Sequence, residues 1–200
     1  MTADEVLQLL RQSSAQQEGH FLLSSGLHSN QYLQCARVLE DPRAAERLGR
    51  ELAARLRRTG AIPDEEPPQA VLSPALGGII IGHEVARAAG ARFLFTERDP
   101  AMRDRTTLRR GFALRQGERV VVVEDVVTTG RSTQEVIEVA RVAGADVRAV
   151  AAIVDRSGGT APFGVPFVAL LSLEVPSFPP EQCELCRRGV PLEKPGSRRM

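Results

Sequence analysis

From about residue 70 to residue 155 the chain repeats one unit: a short unbroken apolar run, a turn rich in Gly, Pro or Thr, then a stretch with apolar residues at helical spacing. The apolar runs fall at Gln69 to Ser73, Ala91 to Phe95, Val120 to Val123 and Asp146 to Val154. Helical spacing falls at Ile79 to Ala89, stopped by Gly90, and at Ser132 to Ala143, stopped by Gly144. Strands that read as continuous apolar runs are covered on both faces. The pattern therefore predicts an α/β fold, a parallel sheet flanked by helices.

Upstream of this unit, Thr2 with Glu5 forms a capping-box pattern ahead of Val6, Leu9 and Leu10, which predicts an opening amphipathic helix. Residues 41–58, DPRAAERLGRELAARLRR, open on Asp-Pro and run out at Gly60, a second helix. Residues 61–69 are rich in Pro and acid and read as a solvated loop. Phe95 to Gly117 is a long polar connection carrying Arg98, Arg103, Arg105, Arg109, Arg110 and Arg115. A connection of that length inside a compact domain is a lid, a binding element or disordered.

Length and composition narrow the function. Two hundred residues, 42% apolar, suit one domain. A net charge of +1 supplies no overall positive field for a nucleic-acid backbone. Lys194 is the only lysine, which removes a Schiff-base lysine and the lysine of a Walker loop from the body of the chain. Cys35, Cys183 and Cys186 are too few for a disulfide framework, the N-terminus lacks the apolar stretch of a signal peptide, and no run approaches a membrane span. The expectation is a cytoplasmic protein with no nucleic-acid or membrane partner.

The chemistry gathers behind the valine run. Glu124 and Asp125 follow it, then Val126 and Val127, then Thr128, Thr129, Gly130, Arg131, Ser132 and Thr133. Two adjacent carboxylates at a strand end can accept the paired hydroxyls of a ribose, and a turn of N–H groups and hydroxyls suits a phosphate. Ser132 with Glu135 reads as a capping box, putting the positive end of a helix behind that phosphate. A buried strand and an ordinary capped turn with solvated acids is the plainer alternative.

The contiguity of acids, threonines, glycine and helix start resembles the phosphoribosyl pyrophosphate (PRPP) motif of the type I phosphoribosyltransferases. HFLLSSGLHSNQYLQC (20–35), SPALGGIIIGHEVA (73–86), the motif itself and VDRSGG (154–159) fall in the order and spacing of bacterial orotate phosphoribosyltransferases. That resemblance covers the chain to about Leu192. It implies transfer of the phosphoribosyl group of PRPP to orotate, with Mg2+ held mainly through substrate and water and no direct protein ligand assigned. It implies one domain over residues 1–192 with hood elements near 15–40 and 160–192, and residues 193–200 as a flexible tail. Glu124 and Asp125 become the catalytic pair. Residues 124–132, Val126 and Val127 included, become PRPP-binding together with Arg98, and Thr128 and Arg156 orotate-binding. Ala75, Leu76, Gly77 and Gly78 form the pyrophosphate loop, with Ala75-Leu76 a candidate cis peptide. Residues 97–116 become a flap shared across a homodimer. Many relatives carry lysines there, whereas this flap has only arginines, which stay charged and cannot donate a proton to the leaving group. Ser24 and Gly77 stand where some relatives have lysine.

Two other readings stay open on the residues: a phosphoribosyltransferase for a purine or uracil, and a non-catalytic sensor of PRPP. For Arg156 the plain alternative is a surface charge paired with Asp155. His20 and His28 read as hood packing and His83 as helix surface. Cys183-Glu-Leu-Cys186 has zinc-ligand spacing but supplies only one pair, so a C-terminal turn with two free thiols is expected, or a metal shared between two subunits.

Overall fold

The computed structural model describes residues 1–23, 25–102 and 105–195. Ser24, Arg103 and the last five residues of the expected tail lie outside that set. The chain opens with α1 (Ala3–Gln12), whose start is the expected capping box: the Thr2 hydroxyl accepts from the Glu5 N–H, and the Glu5 carboxylate accepts from Thr2 N–H. Strands β1 (Gln16–Leu22) and β2 (His28–Leu33) pair antiparallel as a separate two-stranded hood. The short α2 (Ala36–Leu39) and the long α3 (Pro42–Arg58) follow, with the Asp41 carboxylate accepting from Arg43 N–H at the α3 start.

The body consists of β3 (Ala70–Pro74), α4 (Gly78–Ala89), β4 (Arg92–Arg98), β5 (Thr106–Leu108), β6 (Arg119–Val127), α5 (Arg131–Val142), β7 (Asp146–Asp155) and β8 (Phe167–Ser172). A 3₁₀ turn at Pro180–Gln182 and α6 (Glu184–Arg187) end the regular structure. The six-stranded sheet runs β5-β4-β3-β6-β7-β8, parallel except for β5. Its core explains the unbroken valines. Val121 and Val123 join the cluster formed with α1, α3 and α4, while Val120 and Val122 join the cluster under α5. Both faces of β6 are therefore dry, and neither can tolerate the polar half of an alternating strand.

Three expectations need correction. The connection after Phe95 is not irregular throughout: Thr96, Glu97 and Arg98 pair with Leu108, Thr107 and Thr106, so its base is an antiparallel hairpin. The threonines suit a strand, and Phe112 packs edge-on against Phe95 at 5.2 Å. The expected parallel sheet flanked by helices stands, with β5 alone running antiparallel at its edge. Residues 167–172 belong to the main sheet as β8, not to the hood, because Val168, Leu170 and Leu171 are buried against the core. Finally, the ordered chain continues past Leu192. Glu193 donates to the carbonyl of His20 and accepts from the N–H of Leu22, adding a bridge to the edge of β1.

Candidate active site

Strand order fixes where a ligand can sit. From β3 the chain crosses through α4 to β4 on one side, and from β6 it crosses through α5 to β7 on the other, with α4 and α5 on opposite faces. The order reverses between β3 and β6. Parallel sheets bind ligands at such a reversal, in the crevice outside the carboxyl ends of the strands. The loops that meet there carry residues 75–78, 128–130 and 156–159.

Glu124 and Asp125 lie in the second half of β6 itself, since the strand continues through Val127. Glu124 is 5% exposed and accepts from Ser132 Oγ at 3.0 Å, while Asp125 accepts from Val126 N–H at 2.9 Å. Burial, and then the neighbouring charge of Asp125, pushes the Glu124 carboxyl well above the ordinary range, and burial raises Asp125 too. The two carboxyls therefore favour holding a proton until a positive charge arrives beside them. The pyrophosphate-loop candidate closes on it: a Cβ at Gly77 would stand 2.7 Å from Asp125 Oδ1, so only glycine leaves this room beside the carboxylate. Ala75-Leu76 is a cis peptide, as the sequence resemblance suggested, and Leu76 is exposed.

The phosphate turn differs in one detail from its expected form. Gly130, at φ +78°, caps α5, and no side chain caps it. The Ser132–Glu135 capping box does not form, because Ser132 turns to Glu124 and Glu135 binds Thr106, Arg98 and Arg131. Arg131 N–H reaches Thr129 Oγ1 at 3.4 Å, and the next N–H groups of α5 are left open to an anion, a stronger arrangement for phosphate than a filled cap. Thr128, Thr129, Arg131 and Ser132 are exposed around that turn. Val127 is buried in the core and Val126 packs against it, so these two can offer a ligand only backbone.

Arg156 heads the loop after β7, anchored by its N–H to the carbonyl of Val127 at 2.7 Å. Its expected alternative partner is occupied elsewhere: the Asp155 carboxylate accepts from Ser157 N–H and Oγ and from Gly159 N–H. The Arg156 Nε is buried without a hydrogen-bond partner among the described residues, and burial lowers its pKa. It lines a cavity of about 630 Å³ with Tyr32, Thr128, Thr129 and the hood residues Leu22 and Leu27. Tyr32, the only tyrosine, has its hydroxyl pKa raised by burial and then by Asp125, with Arg156 acting in the opposite direction, which puts it within electrostatic reach of both. The sequence marks out its segment, residues 20–35, but not Tyr32 itself. A lone tyrosine among hood residues was the available signal.

Arg98 stands apart from this group. Its guanidinium is engaged by Glu135 and by Thr106 Oγ1 at 3.0 Å, and Arg110 in the same flap forms a two-point pair with Glu97. His83 is at the helix surface as expected. No helix among the described residues is long and apolar enough to cross a membrane.

Residues 37–178 match the phosphoribosyl transferase domain family. An orotate phosphoribosyltransferase of Heliobacterium modesticaldum is 56% identical over 198 residues, covering 99% of this chain and 100% of that protein. One from Pelotomaculum thermopropionicum is 48% identical over 200 residues and covers both chains fully. Among solved structures, orotate phosphoribosyltransferase from Aeropyrum pernix superposes with a TM-score of 0.64 at 28% identity, covering 84% of this chain and 93% of that one.

Proposed function

The chain belongs to the orotate phosphoribosyltransferases of the phosphoribosyl transferase domain family, and on that premise we propose how its residues divide the reaction among them. The activity is transfer of the phosphoribosyl group of PRPP to orotate, giving orotidine 5'-phosphate and pyrophosphate in pyrimidine biosynthesis.

In this reading the 5'-phosphate rests on the open N-terminus of α5, taking N–H groups of residues 129–132 and the hydroxyls of Thr128, Thr129 and Ser132. The exposed Arg131 adds charge. Glu124 and Asp125 receive the ribose hydroxyls. As the C1–O bond to pyrophosphate lengthens, positive charge grows on the sugar ring, and two carboxylates fixed in a dry strand end need no rearrangement to meet it. The orotate ring nitrogen then bonds C1 from the cavity side. There Arg156 grips the orotate carboxylate and the Thr128 hydroxyl touches the ring. One observation carries the acceptor assignment: a half-buried arginine whose Nε is enclosed without a partner among the described residues, and which lines a cavity that shares Thr128 and Thr129 with the phosphate turn. Burying such a group without an anion is costly.

We assign Mg2+ as cofactor. The adjacent carboxylates, each raised in pKa by burial, suit a hard hydrated cation carried in by PRPP. When bound, that ion supplies positive charge against the pyrophosphate oxygens. Residues 75–78 would cradle the leaving pyrophosphate. Arg98 would join it only by exchanging its pair with Glu135, and that exchange is the closing motion we assign to the 97–116 flap. Exposed Met102 beyond the hairpin base favours a homodimer that shares this flap, and free cysteines favour a cytosolic enzyme. Purified protein with Mg2+ and PRPP, offered orotate, uracil and purine bases, should consume orotate absorbance alone. Turnover of another base with orotate untouched overturns the acceptor assignment.

A further inference from the structure

The hood and the C-terminal segment bring together four donors that the reaction does not use. His20 on β1, His28 on β2, and Cys183 and Cys186 at the start of α6 place one donor atom each within 4.8 Å of all the others. His20 Nε2 lies 3.0 Å from His28 Nδ1, 3.4 Å from Cys183 Sγ and 3.6 Å from Cys186 Sγ, and Cys186 Sγ lies 3.2 Å from His28 Nδ1. His20, His28 and Cys183 are buried and Cys186 is exposed.

Hydrogen bonding alone does not account for this grouping. His20 Nδ1 is 2.8 Å from the carbonyl of Val190, which only accepts, so Nδ1 carries the proton and Nε2 presents a lone pair in the neutral ring. Three polar groups converge on that single lone pair. One donor can satisfy it and Cys186 can pair with His28 at 3.2 Å, but neither bond requires all four donor atoms to crowd one point. A metal ion at the centre uses all four. Zinc bonds of about 2.3 Å to sulfur and about 2.0–2.1 Å to nitrogen give tetrahedron edges of roughly 3.3 Å between nitrogens and 3.6 Å between nitrogen and sulfur. The observed separations sit within a few tenths of an ångström of those edges.

We propose that His20, His28, Cys183 and Cys186 form a structural zinc site that fastens the C-terminal segment to the hood. Two thiols each release a proton on binding, so two thiolates and two neutral imidazoles around Zn2+ make a centre of zero net charge, suited to a mostly buried place. Two sulfurs and two nitrogens in a tetrahedron select zinc over the oxygen-seeking Mg2+. The Val190 carbonyl on His20 Nδ1 is the outer contact that metal-bound histidines use to hold their ring. One chain supplies all four donors, so no sharing between subunits is needed and the paired thiols are not a plain turn. Function follows from position. The ligands join segments 163 residues apart, and Val175, Ser177 and Pro195, flanking α6, line the cavity beside Arg156. Residues 173–195 hold only two short helical turns, so apart from the bridges of Phe178 to His28 and Glu193 to β1 no regular structure fastens that wall.

The test uses the intact protein without a histidine tag, produced with zinc present and dialysed. Elemental analysis should give one zinc per chain, and Cys186→Ser should lose it. Should that variant not fold, exchange of the wild-type ion for Co2+ should bring out thiolate-to-cobalt charge transfer and the intense visible bands of tetrahedral cobalt, which Mg2+ at the catalytic centre cannot produce. Chelation should lower the melting temperature and raise the orotate KM more than the PRPP KM. Folded, active wild-type protein that holds no zinc and shows no cobalt bands overturns the proposal. Zinc retained in full by Cys186→Ser, or a Cys183–Cys186 disulfide under reducing conditions, overturns it equally.

Discussion

The phosphoribose cradle and the hood clasp are both clusters of polar side chains, yet the chain assembles them in opposite ways. The cradle comes from one uninterrupted stretch, Glu124 to Ser132, pinned between a strand dry on both faces and a helix packed against the sheet. The clasp collects two histidines from a hairpin and two cysteines from the far end of the chain, on segments with little core of their own. Rigidity is inherited from the sheet in the first case. In the second it must come from the ligands themselves, which is how small metal sites hold irregular chain.

That contrast can be broken at the cradle first. Asp125→Asn should lower kcat by about two to three orders of magnitude, the usual cost of removing one preorganised charge, with the circular dichroism spectrum and zinc content unchanged. A loss of zinc in this variant would mean that the two regions are coupled. Arg156→Ala should raise the orotate KM roughly 30- to 1000-fold, as loss of about 2–4 kcal/mol implies. Steady-state kinetics with PRPP saturating reads it, and an unchanged KM would remove Arg156 from the carboxylate site.

Gly130→Ala tests whether the turn tolerates a side chain. Its φ of +78° and a Phe163 atom 2.9 Å from the added Cβ both oppose one, so strain of about 1–3 kcal/mol is expected. Denaturant unfolding should show it together with weaker PRPP binding.

The mildest change sharpens the electrostatics. Burial raises the folded pKa of Glu124, so the unliganded protein keeps this proton where the unfolded chain has lost it. Stability from this group therefore falls as pH rises from the ordinary carboxylate value of about 4.3 through the raised one. Glu124→Gln escapes that loss. It should melt higher than wild type near neutral pH, with the gap closing below about pH 4, while turnover collapses. A gap that widened in acid would reverse the assignment.

What could be read from the residues divides along the same line. The alternation of strands and helices, the caps at Thr2 and Asp41 and the acid–threonine–glycine run are local, and each reached its expected element. Ser132 did not cap α5 because a strand-borne Glu124 competed for its hydroxyl, a tertiary partner that spacing does not reveal. Strand β5 is not legible because three residues of an edge hairpin carry too little pattern, and β8 because its apolar run follows a loop without the helix that marks the other crossings. The pairing of two histidines with Cys183 and Cys186 depends on a hairpin register and a chain return that leave no mark in the local pattern.

The bridge from Glu193 to β1 has a practical side. Pro195, two residues on, forms part of the cavity wall. An affinity tag or fluorescent label attached just beyond it is thereby tethered next to the acceptor pocket, where it can crowd the opening or compete for it. At the other end the Met1 amino group pairs with Glu51 at 2.7 Å, so an extension there breaks an ion pair, and a label belongs on the exposed face of α4 that carries His83.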